Sequence, residues 1–140
     1  MELATHDLEA TILGPHCAAL DDGEVRRIFP GGALTEQRLD RLRRWPRIVV
    51  RRGGILVGAA TCERAHSEFV VPDIGLAEEA EDSRDVISAL LDAIESACLA
   101  GGCRRIVLSP PRSGCALLER RGYRIVSASC AGRWMEKDIA

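Results

Sequence analysis

The chain has 140 residues, 46% hydrophobic and 29% charged, with a net charge of −2. That length suits one domain, taken as residues 1–140; the composition excludes a disordered chain, and the net charge argues neither for nor against nucleic acid. No apolar run approaches the roughly 20 residues of a membrane span, and Met1-Glu-Leu-Ala-Thr-His-Asp lacks a secretion pattern, so a cytoplasmic location without membrane contact is expected.

Along the chain, Glu9 to Leu13 reads as a short strand ending at Gly14-Pro15. Asp21 or Asp22 can cap a helix running to about Phe29, which Pro30-Gly-Gly stops; Thr35 caps a second helix to about Trp45, and Pro46 ends it. Arg47–Arg52 and Ile55–Glu63 are β-rich runs around Gly53-Gly54, a two-residue hairpin signal. A third run, Glu68–Leu76, contains Pro72, which a central strand tolerates only at a bulge or where pairing is interrupted.

The clearest helix spans about Ser83 to Ala100. Val86, Leu90, Ile94 and Ala97 fall on one face, with Ile87, Leu91 and Cys98 beside them, and Gly101-Gly102 stops it. A buried strand over Arg104–Ser109 ends at Pro110-Pro111. A helix from about Ser113 to Arg121 then leads to a closing hairpin, 124–130 and 133–139. Strand–helix–strand from Glu68 to Ser109 implies a right-handed crossover with parallel strands, while the flanking hairpins are antiparallel, so the sheet is mixed.

The late segment Ala116-Leu-Leu-Glu-Arg-Arg-Gly-Tyr-Arg-Ile-Val126, followed by Arg133-Trp-Met-Glu-Lys-Asp-Ile139, resembles the C-terminal half of the GNAT N-acetyltransferase superfamily. There a matching helix, Gly-aromatic pair and strand lead into a closing strand that often ends Met-Glu-Lys-Asp-Leu. The order of elements agrees over the whole chain, with the specific matches concentrated in 104–139. The resemblance implies an α/β fold: a mixed, mostly antiparallel twisted sheet of about six or seven strands, with about four helices on both faces. It also implies acyl transfer from acetyl-CoA to an amine.

Diphosphates are usually held by backbone N–H groups at a helix N-terminus, where glycines let the backbone approach closely. The family's motif (Arg or Gln, two residues, Gly, one residue, Gly or Ala) falls on Asp82-Ser-Arg-Asp-Val-Ile87. The cofactor-binding candidates are therefore Ser83, Arg84, Asp85 and Val86, forming a degenerate loop. Glu78, Glu79, Glu81, Asp82 and Asp85 surround the lone Arg84. At about 8 Å and an effective dielectric of about 40–80, each opposes a phosphate charge by roughly 0.5–1 kcal/mol before screening. The same acids also suit a plain helix N-terminus. No cofactor is required on this reading; acetyl-CoA or another acyl donor is implied by the resemblance but poorly served by this loop.

Many members of the family carry a Tyr four residues before the late-helix Gly to protonate the departing thiolate. Here that position is Leu118, which has no proton to give; Tyr123 reads as a packing residue. Glu68 and Asp73, with His66 just before them, are candidate bases beside the acceptor strand, against the alternative of strand-edge or turn charges. Cysteines 17, 62, 98, 103, 115 and 130 lack metal-ligand spacing and read as mostly buried apolar residues, with no metal site; Cys115 is the least implausible nucleophile. Arginine dominates the cations, Lys137 being the single lysine.

The stretch Arg38–Arg52 holds seven Arg and one Asp. It is read as a solvated face pairing with the acids of 78–85, on this or another molecule, against an acidic carrier protein, a CoA phosphate or nucleic acid. Three functions remain: a GNAT-like protein with a degenerate acetyl-CoA site, weak or inactive, that binds a small molecule or a protein; a working N-acyltransferase using acetyl-CoA or an acyl carrier; and, least supported, a nucleic-acid binder. A homodimer is left open.

Overall fold

The computed structural model describes residues 8–14, 17, 20–81, 83–111, 114–129 and 132–139. Asp82, Ser113 and Cys130 lie outside the described residues. Strand β1 (Leu8–Leu13) precedes helices α1 (Asp22–Ile28) and α2 (Glu36–Arg44), and strands β2 (Arg47–Arg52), β3 (Ile55–Ala65) and β4 (Glu68–Leu76) follow. Helix α3 (Arg84–Ala100), β5 (Arg105–Leu108), α4 (Cys115–Arg120), β6 (Arg124–Ser129) and β7 (Gly132–Asp138) complete the order, with 3-10 turns at Gly31–Ala33 and Glu78–Ala80.

The seven strands form one sheet in the order β1-β2-β3-β4-β5-β7-β6, in which β4 and β5 are parallel and the other neighbours antiparallel. The sequence signals act locally. Asp21 forms a capping box with Glu24, its carboxylate accepting from the Glu24 N–H at 2.8 Å. Thr35 caps α2 and Ser83 caps α3. Gly53 and Gly54 turn with φ of 57° and 83°, positive at both central positions as a type I′ hairpin requires.

Helices cover both faces of the sheet, and two glycines show how. Gly58 pairs with Leu76 and Ala59 with Gly75, so neighbouring pairs point to opposite faces. A Cβ on Gly58 would meet Val86 of α3, whereas one on Gly75 would strike Phe29 at 2.6 Å and the Ile28 carbonyl at 2.9 Å, just past α1. The α3 face buries Val86, Ile87, Leu90, Leu91, Ile94 and Cys98, the stripe that its helical spacing predicts. Burying each large aliphatic side chain contributes about 1.5–3 kcal/mol.

Pro72 sits where its missing N–H predicts. The register between β3 and β4 shifts between Thr61 and Glu63, opposite the stretch of β4 that contains Pro72. On the other side the β4–β5 ladder ends at once: Val71 pairs with Leu108, and the Ser109 N–H donates to the Val71 carbonyl at 3.0 Å. Beyond that point Pro110-Pro111 leads away, and β4 continues to Leu76 paired with β3 and no longer with β5.

Candidate functional site

The split between β4 and β5 opens a cleft of about 490 Å³. Ile74, Gly75 and Leu76 of β4 form one wall, Pro110 and Pro111 another, and Phe29, Pro30, Gly32, Ala33 and Arg38 close the side towards α1 and α2. Glu81 also lines it. The absent side chain of Gly75 lets the Phe29 ring lie directly on β4.

The bulge at Pro72 also turns the backbone. Before it, Ser67 and Val71 direct their carbonyls to the β5 side, accepting from Arg104 and Ser109. After it, the Ala77 N–H donates to Val57 of β3 at 2.9 Å. Alternation along a strand has period two, so without a bulge odd-numbered residues would all face one side. The flip gives Asp73 and Gly75 to β3 and aims the N–H and C=O groups of Ile74 and Leu76 into the cleft. Among the described residues no strand pairs with that edge.

Asp73 does not face the cleft as a strand-edge charge. Its side chain is fully buried, and its carboxylate accepts from Arg38 Nε (2.8 Å), Arg41 Nε (2.6 Å), Arg41 Nη2 (2.8 Å) and Thr61 Oγ1 (2.5 Å). Burial opposes the charge most strongly of any single influence, but the hydrogen bonds from Arg41, Thr61 and Arg38 outweigh it, and the carboxyl is held below its ordinary range. Such an acid is a poor proton acceptor. Glu68 lies five residues back along β4, about 16 Å at ~3.3 Å per residue, where it faces Arg105 at 3.7 Å. It borders a separate hollow with Ser67, Arg104, Arg105 and Asp138. His66 is exposed in the β3–β4 turn at φ 59°. The candidate bases are thus not brought together, and neither Glu68 nor His66 lines the cleft.

At the N-terminus of α3, Ser83 spends its hydroxyl on the Val86 N–H at 3.3 Å and its carbonyl on the Ile87 N–H at 3.1 Å. Val86 is buried, and Arg84 and Asp85 are exposed. Glu79 is ion-paired with Arg27. Among the described residues of the segment 77–87, only Glu81 lines the cleft. The described neighbours of this helix start are the acids Glu78, Glu79, Glu81 and Asp85 and the single cation Arg84.

Leu118 is fully buried, so the position that would carry a proton donor is core. Tyr123 is buried too. Burial, then Glu95, raises its hydroxyl well above the usual range, and it donates to Glu95 Oε2 at 2.9 Å. Lys137 shares that oxygen at 3.2 Å and lies 5.4 Å from the Tyr123 ring centroid. Burial pushes the Cys62 thiol up to about 11, and burial with neighbouring Cys103 does the same for Cys98. Cys115 is half-buried, 3.7 Å from Arg133 Nη1.

Among the described residues the arginine-rich stretch is mostly paired within the chain, with acids other than those of 78–85. Arg38 and Arg41 hold Asp73, Arg44 meets Asp40 at 3.0 Å, and Arg51 meets Glu24 at 2.6 Å. Arg47 is buried, donating to the Trp45 and Cys17 carbonyls. The reason is topological: α2 crosses the sheet at β4, bringing residues 35 and 32 positions apart into contact. Sequence reading missed Arg38, Phe29 and Glu81 as cleft residues.

No protein-family model and no curated protein matches the chain. Solved structures do. The IAA acetyltransferase from Bacillus cereus aligns with a TM-score of 0.73 at 14% identity, over 94% of this chain and 99% of that one. Ard1 from Thermoplasma volcanium gives 0.69 at 16%, over 94% and 98%. The PaiA N-acetyltransferase from Thermoplasma acidophilum, solved with coenzyme A, gives 0.57 at 16% over 66% of this chain, which spans 59% of its length. These identities speak for architecture alone, and with the seven-stranded mixed sheet split at β4 they establish it: the chain has the GNAT N-acetyltransferase fold.

Proposed function

We propose that the cleft between β4 and β5 binds an acyl-pantetheine arm, on a domain whose acyl transfer is weak or absent. The observation that carries this reading is the unpaired β4 edge at Ile74 and Leu76, opened by the bulge at Pro72. A pantetheine arm has two amides along an extended chain, and an extended chain can add to a free strand edge through main-chain hydrogen bonds. The GNAT architecture and a neighbour solved with coenzyme A support the choice of ligand class.

Weak transfer follows from the side chains. Transfer forms a C–N bond from the amine to the thioester carbonyl and breaks the C–S bond; the ammonium proton must leave and the thiolate must gain one. Leu118 supplies no proton, Asp73 is engaged by two arginines and Thr61, and Glu68 is remote from the cleft. The second reading, a working N-acyltransferase, is favoured by the openness of the cleft and uses water as proton carrier. It takes an acyl carrier more readily than free acetyl-CoA.

Calorimetry with S-acetylpantetheine and acetyl-CoA tests the proposal. The two should bind within about three-fold of each other, because the nucleotide diphosphate gains nothing from the acidic segment. Acetyl-CoA binding ten-fold tighter would refute the reading of the loop, and no binding by either would refute the reading of the cleft. Product formation with an amine panel separates the weak from the working enzyme.

A further inference from the structure

Arg38 is only partly used by the contacts that hold it. Its Nε is fixed on Asp73 at 2.8 Å and its Nη1 on the Ala33 carbonyl at 2.6 Å, with the guanidinium carbon 4.6 Å from the Phe29 ring centroid. A guanidinium carries five N–H donors. Among the described residues the Nη2 group has no hydrogen-bond partner, and the side chain lines the cleft.

Charge points the same way. Two guanidinium groups face the single carboxylate of Asp73, so the cluster retains one positive charge. Arg38 and Arg41 are only 25% and 27% exposed, and an anion seated there would be less screened by water than at an open surface. Glu81, the one acid among the described residues lining the cleft, follows the C-terminal end of β4, whereas Arg38 is anchored at the bulge. The Phe29 ring and the two bonds also fix the guanidinium in place, so little freedom is lost on binding.

We propose that Arg38 makes the α2 side of the cleft a carboxylate-binding subsite, so that the acceptor or its product is an amine-derived compound bearing a carboxylate, of amino-acid type. Phe29, Ile74, Pro110 and Pro111 would take its apolar part. The role as acceptor site rests on the reading of the cleft given above; the carboxylate preference rests on Arg38 alone.

The test uses N-acetylphenylalanine and N-acetylglycine against their C-terminal amides, titrated by calorimetry at low salt. The acids should bind the parent at least five-fold more tightly than the amides. Arg38→Gln should bring that ratio close to one and Arg38→Lys restore part of it, with urea midpoints confirming folded protein. Equal binding of acid and amide by the parent, a preference that survives Arg38→Gln, or no binding by either acid overturns the proposal. The parent's ratio is read without any variant, so it decides even if a substitution prevents folding. Acids that bind through Arg38 while S-acetylpantetheine does not would sink the donor reading and keep the subsite; the converse sinks the subsite alone.

Discussion

Asp73→Asn is the sharpest perturbation of this fold. The substitution keeps shape but replaces one carboxylate oxygen with an amino group, so at least one of the donors from Arg38, Arg41 and Thr61 faces another donor. Breaking a buried ion pair on one side costs about 3–5 kcal/mol when the remaining charge is fully dehydrated. Here the stranded arginines are 25% and 27% exposed and can partly reach water, which lowers the expectation to about 2–4 kcal/mol. For a domain of this size that is a fall in Tm on the order of 10 °C. Urea denaturation with unchanged m-value gives the difference directly. Its pH dependence has a definite sign. Asp73 has a folded pKa below its unfolded value, so its stabilisation is fully present above the ordinary carboxylate range and is lost as pH falls through the folded pKa. The gap between parent and Asp73→Asn should therefore hold from about pH 8 to pH 5 and narrow only below roughly pH 4. A gap under about 0.5 kcal/mol at pH 7, within the range of ordinary surface substitutions, would falsify the cluster as the anchor of α2 on the sheet.

Gly75→Ala places a methyl 2.6 Å from the Phe29 ring and 2.9 Å from a backbone carbonyl, so it should destabilise by about 1–3 kcal/mol and weaken cleft ligands; a neutral urea midpoint would show that Phe29 moves freely. Six thiols should titrate in denaturant without reductant, while Cys62, Cys98 and Cys103 stay unmodified by a thiol reagent in the native protein, as mass spectrometry can check; four or fewer thiols in denaturant would contradict this. The triple change Asp82→Arg, Asp85→Gly, Ile87→Gly removes two acids and opens the helix start to a diphosphate. It should raise coenzyme A affinity at a stability cost of about 2–4 kcal/mol, since Ile87 is buried. A folded variant with no gain would mean that the acids are not what limits the ligand.

The order of elements was legible because each boundary has a local cause. Asp21, Thr35 and Ser83 satisfy first-turn N–H groups, Gly53-Gly54 turns where the hairpin needs positive φ, and Pro72 interrupts pairing because it lacks a donor. The architecture then followed from the late-segment resemblance, and the solved structures agree with it. The candidate site was less legible. Asp73 looks like a strand-edge base in sequence, and nothing in periodicity reveals that two arginines from α2 reach it across the sheet. Phe29 joins the cleft only because Gly75 admits its ring. Such long-range pairings depend on how α2 is laid over β4, which hydrophobic spacing does not encode. A closer look at α2 could have given a hint: Arg38 lies one helical turn before Leu42, which is buried, and Arg41 is its sequence neighbour.

The Lys137 contact with Glu95 and Tyr123 bears on how this chain would meet a reactive thioester. Thioesters acylate accessible amines without any enzyme, and surface lysines are the usual victims. This chain offers one ε-amine, its ammonium 3.2 Å from a carboxylate oxygen and its side chain only 24% exposed. An ammonium has no lone pair to attack with, and this one is held by the Glu95 carboxylate. The arginines that cover the rest of the surface keep their protons and are poor nucleophiles. The one ε-amine of this chain is thus tied into a contact across two elements instead of being displayed to solvent.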